Sequence, residues 1–225
     1  NSSIRFKKYN LTMSEDIEII NQNTRIEKIK NFFSDNYKKL IGLLVSILLV
    51  LFSYFGFQEY KKRVKLEIAE IYNQITLKEI TIENTNSIEQ LVKIIEEKDQ
   101  IYSALSLYFI IENNLVNDPK EINNYFDLVI KSQKEKEIEN LIIYKKAMYN
   151  AETISENELL DMLNPILKSE SVWKSHALLL MADYFEHKNN LVKSKDFLEE
   201  IVNSKLVNNE IRVEAERRLK RKFGD

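Results

Sequence analysis

The sequence has 225 residues and a formal net charge of −2, enough for one membrane span and one domain of ordinary size. It contains no cysteine, which excludes disulfides, thiolate metal sites and a cysteine nucleophile. Only three glycines and two prolines occur, which favours long helices over a β-rich fold with its many turns. The residues after position 39 are mildly acidic overall, which excludes the basic surface typical of nucleic-acid binding.

The first 39 residues form two segments. Residues 1–24 are polar without a sustained hydrophobic period, and we predict a disordered N-terminal tail. Met13 is a candidate start of the native chain, in which case residues 1–12 precede it. Residues 25–39 carry apolar side chains at helical spacing. They are predicted to form an amphipathic juxtamembrane segment, which either lies on the membrane surface or extends the span.

The most apolar stretch covers residues 40–57 and contains no charged residue, Asn, Gln or Pro. A helix of this length extends roughly 27 Å at about 1.5 Å per residue, close to the thickness of the hydrocarbon core of a bilayer. We therefore predict a transmembrane helix over residues 40–58. No small-residue cleavage site follows the stretch, so we interpret it as a retained signal anchor and not as a cleaved signal peptide.

Residues 60–225 read as a series of amphipathic helices joined by short polar links, which predicts an all-α domain. Several positions carry helix start signals. Asn86 and Ser155 are each followed three residues later by Glu, the pattern of a capping box. Asp118 precedes a proline and is predicted to be an N-cap residue with Pro at the first helical position.

Helix hairpins recur in this domain with a spacing in the thirties, which indicates tetratricopeptide-like repeats. The best match covers residues 178–202, where Ala182 and Ser194 are small enough to let two helices approach closely. The turn at residues 113–115 has the same pattern as the turn at residues 189–191. We predict one N-terminal transmembrane helix followed by an α-solenoid of TPR-like hairpins, with a generic helical bundle as the alternative.

Three features together point to a known layout: a charged helical lead-in (RIEKIKNFFSDNYKKL), an apolar anchor (IGLLVSILLVLFSYFGFQEYKKR) and degenerate TPR hairpins. This layout resembles the ancillary subunit of the SecYEG translocon, the YfgM-like family, over residues 25–225. The resemblance implies a single span in the bacterial inner membrane, a cytoplasmic N-terminus and a periplasmic repeat domain. It also implies protein partners, the SecYEG translocon and exported client proteins, but it transfers no catalytic or binding residue.

Charge alone hardly decides the orientation. The twenty residues before the span hold five basic residues and the twenty after it hold four, a small bias toward a cytoplasmic N-terminus by the positive-inside rule. The predicted orientation therefore depends mainly on the resemblance.

Residues that carry chemistry are scarce. His176 and His187 are eleven residues apart on one predicted helix, roughly 16 Å, so they cannot share a metal ion. The sequence contains no serine-centred elbow, phosphate loop or zincin motif. We accordingly predict no catalytic residue, no cofactor and no metal site, and a protein that is not an enzyme.

Two functional hypotheses follow. The favoured one is a membrane-anchored protein-binding scaffold, an accessory subunit of the protein-export translocon that assists secreted or membrane clients. A structural accessory subunit of another inner-membrane complex is its variant, and an enzyme with a carboxylate- and tyrosine-based site is the alternative. A scaffold predicts an open groove, whereas an enzyme predicts a closed cleft with clustered titratable groups.

Aromatic side chains are the candidates for partner binding, because they give contact area at low cost in entropy. The groove is predicted to be lined by the first helix of each hairpin, parts of residues 100–113, 138–151 and 172–187. The candidate partner-binding residues are Tyr108, Tyr144, Tyr149 and Trp173, with core packing as the alternative for each.

Overall fold

The computed structural model describes residues 2–77, 85–204 and 207–224. Within these ranges all regular secondary structure is helical, which confirms the prediction of an all-α chain. The chain divides into two compact units, Asn1–Val64 and Lys65–Asp225. The helices are α1 (Ser2–Thr76), α2 (Thr85–Glu96), α3 (Tyr102–Glu112), α4 (Pro119–Ser132), α5 (Lys136–Asn150), α6 (Glu156–Leu167), α7 (Lys174–His187), α8 (Leu191–Asn203) and α9 (Asn209–Phe223).

The first unit consists of the first part of α1. The helical stretch Thr24–Thr76 is long and apolar enough to cross a membrane: its most apolar 18-residue window has a mean hydropathy of 2.5 and is not buried by protein. The hydroxyl of Ser46 donates to the carbonyl oxygen of Gly42 at 2.8 Å, so this hydroxyl is satisfied within the helix. The disordered tail predicted for residues 1–24 falls on the start of α1, whose side chains lie outside the described residues, and it stays a prediction.

The second unit begins with the end of α1 and contains three hydrophobic clusters that follow one another along the chain. In the first cluster, Ile75 of α1 packs with side chains of α2, α3, α4 and α5, including the fully buried Phe126. The second cluster joins α5, α6 and α7 around Leu163 and Met181. The third cluster joins α7, α8 and α9 around Leu198 and Ala215. The core is therefore divided among successive groups of helices.

The contacts between helices show the same serial order. From α2 to α9, each helix packs on the next one in the chain. Contacts that skip one helix join α2 with α4, α5 with α7, and α7 with α9. Before α5, the helices that contact each other across an intervening helix are even-numbered (α2 and α4). From α5 onward they are odd-numbered (α5, α7 and α9). As a result, α5, α7 and α9 lie side by side.

Two of the predicted helix starts are confirmed and one is wrong. Ser155 and Glu158 form the reciprocal capping box of α6, and the Asp118 carboxylate accepts a hydrogen bond from the Lys120 N–H at 2.9 Å. However, α2 begins at Thr85. Asn86 therefore lies inside the helix, and it cannot be the flanking N-cap residue.

Helices α3 and α7 end in the same geometry. Asn114 and Asn189 have φ angles of 51° and 57°, in the left-handed region. In each turn the following residue donates its N–H to the carbonyl five positions earlier, at 3.0 Å for Leu115 and 2.8 Å for Asn190. This is the Schellman motif, in which an αL residue closes the helix. The two turns correspond with a shift of one residue, because Asn114 matches Asn189.

Candidate partner-binding site

Helices α5 and α7 bring together a cluster of aromatic rings. Tyr144 of α5 stacks on Trp173, with ring centroids 6.0 Å apart and planes 21° from parallel. His176, one turn further along α7, lies 5.0 Å from the Trp173 ring and 5.8 Å from the Tyr144 ring. Two of the four predicted partner-binding residues, Tyr144 and Trp173, are therefore in direct contact.

The link between α6 and α7 is fixed to the first turn of α5 by hydrogen bonds. The carboxylate of Glu137 accepts from the Ser171 hydroxyl at 2.8 Å and from the Val172 N–H at 3.1 Å. The Ser171 oxygen in turn accepts from the Trp173 N–H at 3.1 Å. Since hydrogen bonds to an ionised carboxylate are among the stronger ones in proteins, this network holds Trp173 at the start of α7.

A pocket of about 510 Å³ opens beside the Trp173 ring, between the α6–α7 link and the start of α9. Val172 at its edge is 67% exposed. Asn208 is held in the wall because its side chain caps α9, where it accepts from the Glu210 N–H at 2.8 Å. The residues that line the pocket are Glu170, Ser171, Val172, Trp173, His176, Val207 and Asn208.

Burial shifts the pKa values of two rings in the aromatic cluster. It lowers the pKa of His176, an effect that the backbone carbonyl of Val172 opposes only in part, so the imidazole is neutral at neutral pH. Burial also raises the pKa of Tyr144, and the nearby carboxylate of Asp183 raises it further. The site thus offers neutral rings, and among the described residues Glu170 is the only charged one that lines the pocket.

The other two predicted partner-binding residues lie elsewhere. Tyr108 packs against the first hydrophobic cluster, and burial raises the pKa of its hydroxyl to about 12. Tyr149 is 37% exposed, and its ring lies 5.8 Å from the buried ring of Phe126. Neither residue lines the pocket beside Trp173. Their role in partner binding stays a prediction.

Sequence reasoning missed several residues of this site. His176 is considered in the sequence only as a metal ligand, although its spacing of three from Trp173 places both on one helix face, a signal that the sequence contains. Glu170 follows α6 without any motif. No local signal indicates Val207 or Asn208, because they reach the pocket only through the packing of α9 on α7. Within residues 24–77, 85–204 and 207–224, no three His, Asp or Glu side chains are grouped as metal ligands.

Charged side chains attach α9, which Asn208 caps, to α7. The Arg218 guanidinium pairs with Asp183 of α7 and, at 2.7 Å, with Glu214 of its own helix. Lys222 pairs with Glu186 of α7. In contrast, the buried residues of α9 are only Ile211 and Ala215. Ion pairs therefore supply a large part of the specific contact between the two helices.

Arg218→Gln is expected to loosen α9 and lower the free energy of unfolding by roughly 1 kcal/mol, since solvent screens these partly exposed pairs. Hydrogen exchange of the α9 amides is the measurement. Lys220→Gln removes the same charge from an exposed position of α9 and should leave exchange unchanged. Equal effects of the two substitutions would show that the pairs with Asp183 and Glu214 contribute nothing specific.

The same pairs predict a dependence on pH. Hydrogen bonds from Lys222 to Glu186 and from Arg218 to Glu214 hold the pKa values of both carboxyls below their ordinary 4.5. Groups with a lowered folded-state pKa stabilise the fold above that ordinary value, and the stabilisation is lost as the pH falls through the lower folded-state pKa. Exchange of the α9 amides should accordingly rise as the pH falls below 4.5, after correction for the intrinsic exchange rate.

Comparison of the chain with protein-family models, with curated proteins and with solved structures finds no match. The class of protein is thus defined by its own structure. Over the residues that the structure describes, it is an all-helical chain with one N-terminal helix of membrane-spanning length and composition. Its second unit consists of serially packed helices that carry an aromatic pocket.

Proposed function

We propose that this protein is a membrane-anchored scaffold, whose second unit binds other polypeptides beside the membrane. The observation that carries the proposal is the surface formed by α5 and α7, where Trp173, stacked on Tyr144, and His176 line one side of an open pocket. Aromatic side chains in partly desolvated pockets are the usual anchors of protein interfaces. An anchor in the membrane confines such a surface to two dimensions and raises its effective concentration near membrane partners.

The serial packing supports an α-solenoid of TPR-like hairpins in the second unit. In such repeats each hairpin contacts only its neighbours, and one helix of each pair lines the inner face. The contacts of α5 with α7 and of α7 with α9 favour these three as inner helices. The change from contacts between even-numbered helices to contacts between odd-numbered helices, which occurs between α4 and α5, makes the solenoid irregular. It favours α9 over α3 as a neighbour of the binding surface.

The membrane span and its setting complete the proposal. The apolar stretch of α1 is exposed on all sides within its unit, which suits a helix surrounded by lipid. The resemblance to the YfgM-like family supports a place in the bacterial inner membrane, with a cytoplasmic N-terminus and a periplasmic second unit. It also supports the role of an accessory subunit of the SecYEG translocon that assists exported clients.

The proposed orientation predicts a protease-protection pattern. Protease added outside spheroplasts should digest the second unit, while an epitope tag placed before α1 survives until the membrane is permeabilised. Immunoblots of the tag and of the second unit are the measurement. The reverse pattern would place the second unit in the cytoplasm and remove the basis for a role in export.

Site-specific photo-crosslinking in intact membranes tests the scaffold. A crosslinking amino acid in place of Val172, at the pocket edge, should yield adducts with translocon subunits or with a radiolabelled exported polypeptide. Val192 on α8 is a matched control, because it is also an exposed valine, at 74% against 67% for Val172. Adducts with exported polypeptides from Val192 but not from Val172 would contradict the proposed surface.

Two other results would support the alternative functions in place of the scaffold. A single stoichiometric partner from another inner-membrane complex, captured at Val172, would indicate a structural accessory subunit. Turnover of a small substrate by the purified chain, abolished by substitution of Glu170 or His176, would indicate an enzyme.

A further inference from the structure

The aromatic rings of α7 and of Trp173, which precedes it, differ in whether a cation of this chain covers them. The Lys188 ammonium lies 5.5 Å from the centre of the Tyr184 ring, and the Lys193 ammonium lies 5.0 Å from the centre of the Phe185 ring. Among the described residues no Lys or Arg lies over Trp173 in this way. Yet the indole of tryptophan attracts cations more strongly than the rings of tyrosine or phenylalanine do.

The charge of the pocket also favours a cation from outside this chain. Glu170 is exposed at the pocket and has no ion pair within residues 85–204 and 207–224. Among the described residues no basic side chain lines the pocket, and burial lowers the pKa of His176, so none of these lining residues repels a cation. The Trp173 side chain and an unpaired carboxylate therefore border the same space.

An indole next to a carboxylate favours arginine over lysine. A guanidinium is planar and weakly hydrated, so it can stack on an indole while its edge donates to a carboxylate. A lysine ammonium is a compact, strongly hydrated charge that gains less from the same pair. The apolar edge formed by Val172 and Val207 suits the aliphatic part of an arginine.

We propose that this pocket binds an arginine side chain of an extended segment in the partner polypeptide, held between the Trp173 ring and the Glu170 carboxylate. The inference rests on the proposed function and names the residue that the binding surface selects. Because the pair is partly exposed to solvent, the preference for arginine is modest for one site. Several such contacts along a client would add to it.

Trp173 makes the test direct, because it is the only tryptophan of the chain and its fluorescence reports the pocket alone. The full chain in detergent micelles is titrated with a short alanine-based peptide that contains one arginine. A matched peptide carries citrulline, which keeps the shape and removes the charge. We expect the arginine peptide to change the Trp173 emission and to bind about threefold to tenfold more tightly than the citrulline peptide.

Two substitutions connect this preference to the pocket. Glu170→Gln should abolish the difference between the two peptides, whereas Glu97→Gln, an exposed position beyond α2, should retain it. Val172→Lys, which places a cation at the pocket edge, should also abolish the difference and provides a second variant if Glu170→Gln alters the fold. Circular dichroism of each variant checks that the helices are intact.

The outcomes separate this inference from the proposed function. Equal binding of both peptides by the wild-type chain would overturn the arginine site. If polypeptides still crosslink to position 172 in that case, the scaffold stands without it. Absence of any crosslinked polypeptide, together with absence of peptide binding, would overturn both proposals. An arginine preference that survives both Glu170→Gln and Val172→Lys would also overturn the proposed site.

Discussion

Leu48→Arg is expected to weaken insertion of the protein into the membrane. Leu48 lies in the middle of the apolar stretch of α1, and its side chain is 44% exposed, so the substitution places a charge near the centre of the bilayer. The cost is about 2.5–3.5 kcal/mol on insertion scales, about two orders of magnitude in the insertion equilibrium. Extraction of membranes with alkaline carbonate, followed by immunoblotting, measures the effect.

Leu66→Arg provides the matched control for this experiment. Leu66 is also an exposed leucine of α1, at 61%, but it lies beyond the apolar stretch and after basic residues. The control chain should stay in the membrane pellet. If the unaltered chain already washes off in carbonate, α1 does not span the membrane, and the proposed anchor fails.

Phe126→Ala is expected to have the largest effect on the stability of the second unit. The Phe126 side chain is 1% exposed in the centre of the first hydrophobic cluster. Removal of a buried phenylalanine leaves a cavity and costs about 3–5 kcal/mol, a large share of the about 5–15 kcal/mol that stabilises an ordinary domain. Urea denaturation of the full chain in detergent, followed by circular dichroism, measures the loss.

The serial core predicts where this loss appears. Amides of α2, α3 and α4 should exchange faster in Phe126→Ala, whereas amides of α8, in the third cluster, should keep most of their protection. Phe223→Ala, at the partly exposed end of α9, is the control and should cost about 1 kcal/mol or less. Uniform loss of protection across all the helices would contradict the division of the core into successive clusters.

Local features of the fold were predictable from the sequence, because neighbouring residues decide them. The side chain of Ser155 and the Glu three residues later form a capping box wherever a helix starts between them, and the structure contains it. The proline after Asp118 fixes its own φ and needs no hydrogen-bond donor at the first helical position. Asn86 shows the limit of such signals, since α2 begins one residue earlier.

The site was predictable only in part, because it depends on which helices pack together. Tyr144 and Trp173 were identified from their residue type, and their stacking follows from the contact of α5 with α7. Tyr108 and Tyr149 have the same type, but they lie against the first cluster. Whether α3 or α9 lies beside the pocket depends on which helices contact each other across an intervening helix. The hydrophobic periodicity of the sequence does not indicate these contacts.

Three of the helices are followed by a residue in the left-handed region of φ, and one of these residues offers a way to stabilise the protein. Lys98, Asn114 and Asn189 have positive φ angles, at 57°, 51° and 57°, and none of them is a glycine. A side chain in this region is crowded by its own backbone, least for asparagine and more for lysine. Glycine at position 98 would relieve that strain, although it would also add freedom to the unfolded chain. Lys98→Gly is thus the first substitution to examine when a more heat-resistant sample is needed, and it lies outside the proposed binding surface.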